Sequence, residues 1–352
     1  MPTVAAVSTV ELPNRTSQQA VREFARKLFA PAFPDIDRLL GVFDHAGIER
    51  RNLCKPLDWY MQPHTFEEQN NEYIRLALDY AVEAAEKCLA AAGVPKEAVT
   101  DLVFVSTTGL ATPSLDALVI DRMRLSPYTR RMALFGPGCA GGVSGVAKAC
   151  ALAAADPEAV VLLVAVELCS LTFLRSDPGK SNFVGSCLFA DGAAACLVTG
   201  DASRRAGPHG ARFVAAGSRL YYDTQEVMGW DFTDRGFKVR FSPGIPALVR
   251  AHVRDDVTAF LARHGRALSD LDHCIFHPGG RKVLAAYEEA LELAPDALQT
   301  TRGVLRDYGN MSSTTVLYVL ERFLDRRAAG CGLMMAMGPG FSSEMLLLDL
   351  NP

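Results

Sequence analysis

The chain has 352 residues, 49% of them hydrophobic and 22% charged, with a formal net charge of −4. That length suits two packed lobes better than one ordinary core, and the composition excludes disorder and a solvating tail. The mildly acidic balance gives no global reason to bind nucleic acid.

The N-terminal segment Met1–Pro13 (MPTVAAVSTVELP) lacks the basic start and cleavage site of a signal peptide and reads as a first β-strand. Asn71–Gly93 is a long amphipathic helix closed by Gly93, followed by Pro95 and the strand Asp101–Ser106 (DLVFVS). The apolar runs around Met132–Ala147 and Ala328–Ser343 are broken by Gly, Pro and Ser. No uncharged run therefore reaches the ~18–20 residues of a membrane helix. Val160–Val166 (VVLLVAV) is apolar on both faces, as a buried central strand should be. Asp201–Arg212 is polar and rich in small residues and marks the boundary between an N-terminal half, 1–205, and a C-terminal half, 206–352. The cysteines are scattered, with no CxxC and no Cys/His ligand spacing. Neither a disulfide framework nor a metal site is expected, and a reduced, cytoplasmic protein is.

The two halves repeat an order of elements. In the first, a helix to Gly93 precedes the strand DLVFVS, then GPGCAGG opens a helix that leads to VVLLVAVEL. In the second, the helix VTAFLARHG precedes HCIFH, then YGNMSS opens a helix that leads to GLMMAMG. Cys139 and Asn310 occupy matching places. The order supports a duplicated α/β unit with a site where the halves meet.

Phe135–Ala147 (FGPGCAGGVSGVA) is the sharpest local signal. A thiol at Cys139 faces the positive end of the following helix, which favours the thiolate. The adjacent glycines let a substrate carbonyl approach a main-chain N–H that can hold an oxyanion. The other cysteines lie in helix or strand patterns and read as core residues. A thiol nucleophile needs a base and a stabiliser of negative charge. His277, in CIFHPGGRKVL, stands at a strand end where Pro278 and two glycines turn the chain, whereas His273 begins that strand. Asn310, in DYGNMSS, reads in isolation as a helix cap.

Together, GPGCAGG, FHPGG and YGNMSS resemble the Cys-His-Asn motifs of the type III polyketide synthases, the chalcone synthase family. Ser106–Gly109, Val166–Phe173, Val184–Ala195 and Met337–Glu344 match further family segments, so the similarity spans nearly the whole chain. It is weakest before Phe43 and across Ala206–Tyr222. The resemblance implies the duplicated thiolase fold, layered αβαβα, and a homodimer.

It also implies a chemistry. Cys139 takes the starter acyl group from acyl-CoA as a thioester, with His277 holding the thiolate as an ion pair. His277 and Asn310 then stabilise the enolate left when malonyl-CoA loses CO₂, and that enolate attacks the thioester. Phe189 occupies the family's gatekeeper position beside the malonyl carboxylate. Loss of CO₂ replaces a strong base, so no metal and no cofactor is implied beyond the CoA thioester substrates. Thr107, Thr172, Gly185 and Ser312 fall at cavity positions, and Trp230 stands where a Gly is frequent. Thr112 replaces a Met that crosses the dimer interface in plant members. Gly279, Gly280, Arg281 and Lys282 fall at the CoA mouth, and Arg38 near a basic position of it. Gly41 and His45 stand where other basic residues are expected. The segment Glu226–Val239 is similar to bacterial members, which points to fatty acyl starters and pyrone or resorcinol products.

The nearest rival is a ketoacyl-acyl carrier protein synthase III, with the same fold but a single condensation. A thiolase needs a second catalytic cysteine, and Cys331 lacks its loop context. A hydroxymethylglutaryl-CoA synthase needs a glutamate acid, but the strand position of Glu167 indicates a buried hydrogen-bonding role. A Cys-His hydrolase and a non-catalytic scaffold complete the alternatives.

Overall fold

The computed structural model describes residues 1–203 and 210–351. The boundary expected at 205/206 lies outside the described residues. In chain order the strands are β1 (Thr3–Val10), β2 (Asn14–Ser17), β3 (Arg50–Leu53), β4 (Asp101–Val105), β5 (Arg130–Leu134), β6 (Val160–Leu168) and β7 (Asp191–Thr199). They continue as β8 (Gly210–Leu220), β9 (Met228–Thr233), β10 (Gly236–Phe241), β11 (His273–Phe276), β12 (Gly330–Gly338) and β13 (Ser342–Asn351).

Nine strands form one sheet in the order β11-β12-β13-β8-β1-β7-β6-β4-β5. Outward from its centre, β1-β7-β6-β4 on one side mirrors β8-β13-β12-β11 on the other, so the expected duplication is present in the strand order itself. Strand β5 is an extra edge on the N-terminal side. The halves join where β1 meets β8, at Thr3–Arg212 and Val4–Ala211.

Strands β6 and β7 are buried along their whole length, which is why their sequences show no polar alternation. Helices cover both faces. Phe66–Ala92 packs on the outer face of the N-terminal half. It starts at Phe66, ahead of the Asn71 read from apolar spacing, because a capping box fixes a polar first turn: Glu68 N–H donates to Thr65 Oγ1 at 3.1 Å and Thr65 N–H to Glu68 Oε2 at 2.8 Å. Ile245–Ala262 and Arg281–Leu291 cover the C-terminal half. Between the halves, Gly141–Ala155 and Thr315–Asp325 share one apolar cluster with inward side chains of both sets of strands. The layering is αβαβα.

Gly138–Ala155 has the length and a mean hydropathy, 1.3 over 18 residues, of a membrane span, but 67% of it is buried in that central layer. Its small residues serve close packing. A Cβ on Gly142 would lie 2.2 Å from the Ser313 carbonyl oxygen, and one on Gly338 would lie 2.2 Å from that of Pro137. The glycines let the two halves interlock.

Candidate active site

Three turns converge at this seam. Cys139 sits in the single turn Gly138–Ala140, directly ahead of the central helix that begins at Gly141, and is buried. His277 follows β11; its N–H donates to Met335 O at 2.8 Å, which prolongs the pairing with β12 and fixes the imidazole at the sheet end. Asn310 lies between the helix Gln299–Tyr308 and the turn Ser312–Thr314. Its Nδ2 donates to Gly279 O at 3.2 Å, and its Oδ1 accepts from Ser312 N–H at 2.9 Å. The amide thus spans from the turn after His277 to the turn after itself. Asn310 is more than a helix cap. Ser312 adopts φ +51, a left-handed conformation that costs a non-glycine residue energy and is met at functional turns.

Burial disfavours either charge taken alone. It pushes the Cys139 thiol up to about 12, while the Ser312 and Asn310 side chains and its own N–H pull it down by less. Burial holds the His277 imidazole down at about 3, and neither ring nitrogen has a hydrogen-bond partner. The N–H at the helix start does favour the thiolate, as expected from the sequence, but by less than burial disfavours it. A thiolate–imidazolium pair at this site would have to form as a unit, each charge offsetting the desolvation of the other.

Two cavities lie in series behind Cys139. The first is lined by Thr107, Cys139, Cys169, Phe189, Trp230 and Ser312, among others. The second shares Cys169, Phe189, Trp230 and Val239 with it and continues past Thr172 and Gly185 to Val21, Phe24, Leu57 and Tyr60. Trp230 is held in the partition by its indole N–H, which donates to Thr107 O at 3.0 Å. Phe189 meets Phe241 edge-on, with centroids 6.0 Å apart.

Thr112 and Arg38 line none of these cavities within the single chain. Thr112 is exposed and lines neither cavity, because the chain leaves the sheet after Ser106–Gly109 and reaches the surface at Leu110. Arg38 is exposed on the short helix Ile36–Leu39, which turns Ile36 and Leu39 inward, and it does not line the mouth. The mouth groove includes Gly279, Gly280, Arg281 and Lys282, as expected, together with His45 and Lys180. Phe241 borders both this groove and the first cavity.

Sequence reasoning missed other residues. Cys169, read as core, lines both cavities because β6 ends just before it in a tight turn. Arg51, on β3, is almost fully buried; its Nη1 donates to Ser186 O at 2.9 Å and Phe189 O at 2.8 Å, and its Nη2 to Gln18 and to the Cys187 carbonyl. No local signal marks it. Glu167 has the buried hydrogen-bonding role read from its strand. It accepts from Thr107 N–H at 3.0 Å, Thr108 Oγ1 at 2.9 Å and Ser313 Oγ at 2.6 Å, and burial raises its carboxyl to about 7. Cys331 starts β12, whose other end, Gly338, abuts the Cys139 turn. It is about 20 Å from that turn by strand rise.

A buried cysteine at a helix start in one α/β unit, with a histidine at a strand end and an asparagine in the matching turn of a second copy of that unit, is the arrangement of a condensing enzyme of the duplicated thiolase fold. Residues 57–202 match the family model "Chalcone and stilbene synthases, N-terminal domain", and residues 212–351 match the C-terminal domain model. The chain belongs to this family: it is a type III polyketide synthase, a malonyl-CoA-dependent acyltransferase. It is 43% identical over 344 residues to a Bacillus subtilis (strain 168) protein that carries the name chalcone synthase, covering 95% of this chain and 94% of the relative. It is 38% identical to the 1,3,6,8-tetrahydroxynaphthalene synthase of Streptomyces peucetius subsp. caesius, covering 98% and 92%. The crystal structure of the Streptomyces coelicolor A3(2) enzyme of that name superposes with a TM-score of 0.93 at 29% identity, over 99% of both chains.

Proposed function

We propose that the chain loads a fatty acyl starter from acyl-CoA onto Cys139 and extends it repeatedly with malonyl-CoA. The observation that carries the starter class is the second cavity. It continues from the Cys139 cavity past Phe189 and Trp230 into apolar walls from Val21, Phe24, Leu53, Leu57 and Phe173; its volume of about 70 Å³ holds a short stretch of alkyl chain, and a longer tail needs these walls to part.

In this reading Cys139 hands its proton to His277 as the thiolate attacks the starter thioester, and CoA leaves as the thiol. Malonyl-CoA then binds with its thioester oxygen toward His277 and Asn310. Loss of CO₂ leaves an enolate whose oxygen these donors stabilise. The enolate carbon attacks the acyl-Cys139 carbonyl, a C–C bond forms, and the thiolate is expelled. Phe189 supports departure of neutral CO₂ by offering the carboxylate no polar partner. Gly279–Lys282 border the CoA arm, and no step calls for a metal or a cofactor. Repetition supplies a poly-β-keto chain that closes to a pyrone or resorcinol.

The dimer reading is supported by the open edge at β5, beside which Phe135 and its neighbour Phe232 are 49% and 61% exposed. All nine cysteines are free and buried, which supports a reducing, cytoplasmic setting.

The test incubates purified protein with labelled malonyl-CoA and acyl-CoAs from acetyl to palmitoyl, with Cys139→Ala as control and products read by mass spectrometry. Tri- or tetraketide pyrones or resorcinols from long acyl-CoA support the reading. Product from malonyl-CoA alone, or from short starters only, removes the fatty acyl assignment. A single condensation that requires malonyl-acyl carrier protein selects the synthase III chemistry.

A further inference from the structure

The mouth groove encloses about 620 Å³ and combines apolar walls, from Val42, Ala46, Val184 and Leu188, with a cationic rim. Lys180 is the first residue of the helix Lys180–Leu188 in the N-terminal half. Arg281 and Lys282 open the helix Arg281–Leu291 in the C-terminal half. The three cations line the same groove and come from opposite sides of the seam. None of them has a carboxylate within salt-bridge distance among the described residues.

Their surroundings differ. Arg22 pairs with Asp44 at 3.7 Å, Arg26 with Asp37 at 2.9 Å and Arg254 with Glu292 at 3.0 Å, while Arg250 pairs with Glu289. The nearest carboxylate in sequence to Lys180, Asp177, is turned to the Gly179 N–H at 2.8 Å. Cations gathered on one groove without counter-charges repel one another, and an anion relieves that repulsion. Both helices also present their positive ends to the groove. The other end of the groove reaches Phe241, which borders the Cys139 cavity, and Gly279, whose carbonyl holds Asn310.

We propose that Lys180 binds a phosphate of the CoA nucleotide, acting across the seam from Arg281 and Lys282, so that the carrier is clasped by both halves while its thioester reaches Cys139. The assignment rests on the polyketide synthase reading for the identity of the carrier. Lys180 is a positioning residue: it holds the end of the substrate remote from the chemistry.

Calorimetry with free CoA measures this without catalysis. Lys180→Ala is expected to weaken CoA binding by about tenfold at low salt, the weight of one charge-assisted contact, with the difference shrinking as ionic strength rises. Lys180→Arg should restore binding, and Lys87→Ala, on the outer face of Phe66–Ala92, should leave it unchanged. In turnover, Lys180→Ala should raise KM for malonyl-CoA without changing kcat, and leave use of the malonyl thioester of N-acetylcysteamine, which has no nucleotide, unaffected. Equal CoA affinity in Lys180→Ala and the parent overturns the proposal. So does an equal loss with the N-acetylcysteamine thioester, which would mark a structural role. Failure of the parent protein to decarboxylate malonyl-CoA itself would instead overturn the reading of the site on which the proposal rests.

Discussion

Phe189 and Asn310 are joined backbone to backbone. Ala190 N–H donates to Asn310 O at 2.8 Å and Asn310 N–H donates to Leu188 O at 3.0 Å, so the cavity-lining Phe189 and the Asn310 amide share one short bridge between the halves. Arg51 holds the other side of that strip through the carbonyls of Ser186, Cys187 and Phe189. Burial lowers the guanidinium to about 10, still charged at neutral pH.

Replacing Arg51 by Met should therefore cost about 3 kcal/mol or more, because several buried carbonyls lose their donor at once. Denaturant unfolding measures the loss. The folded fraction should decarboxylate malonyl-CoA more slowly, since the bridge that carries Phe189 and Asn310 is loosened.

In the proposed mechanism His277 takes the proton of Cys139. In His277→Gln the thiol keeps its raised value with no partner to accept the proton. Alkylation of Cys139 by iodoacetamide at pH 7 should then fall well below the parent rate and rise about tenfold per pH unit from pH 7 to 9. An unchanged rate at pH 7 would show that His277 does not activate the thiol.

In the proposed mechanism Asn310→Ala removes one donor to the enolate oxygen while Cys139 keeps His277. Malonyl-CoA decarboxylation should drop by about 10²–10³, with acyl loading of Cys139 largely retained. Release of labelled CO₂ and mass spectrometry of the acyl-enzyme separate the two steps.

Trp230 stands in the partition between the two cavities. Trp230→Ala removes the wedge and merges them, so the preference between palmitoyl-CoA and octanoyl-CoA should move toward the longer chain by about tenfold, a few methylenes of apolar burial at most. Competition between the two starters, read by product mass, decides it.

Glu167 has a folded-state value near 7 against an ordinary 4.5, so its protonated form is the one the fold prefers. The stability this contributes is complete below about pH 4.5 and is lost as pH rises through 7. In Glu167→Gln the amide oxygen can accept from Thr107 and Thr108 and the NH₂ can donate to the Ser313 hydroxyl. The variant should gain on the parent between pH 4.5 and 8 by up to about 3 kcal/mol. A constant difference in Tm across that range would count against it.

The sequence by itself determined the repeated order of elements, the Gly-rich turn at Cys139 and the strand end at His277, because apolar periodicity, glycine and proline are local signals. It also carried the family, since GPGCAGG, FHPGG and YGNMSS are contiguous words. What needed the tertiary structure is whatever depends on contacts across the seam. Arg51 lies 138 residues from the Phe189 carbonyl it holds. Cys169 lines the cavities only because β6 ends where it does. Trp230 becomes a partition by reaching Thr107, and Lys180 meets Lys282 only when two helix starts converge. Arg38 misses the mouth for the same reason: a position in a motif does not state which way the backbone turns it. Burial then raises the Cys139 thiol and lowers the His277 imidazole, because desolvation depends on everything packed around a group and not on its own segment alone.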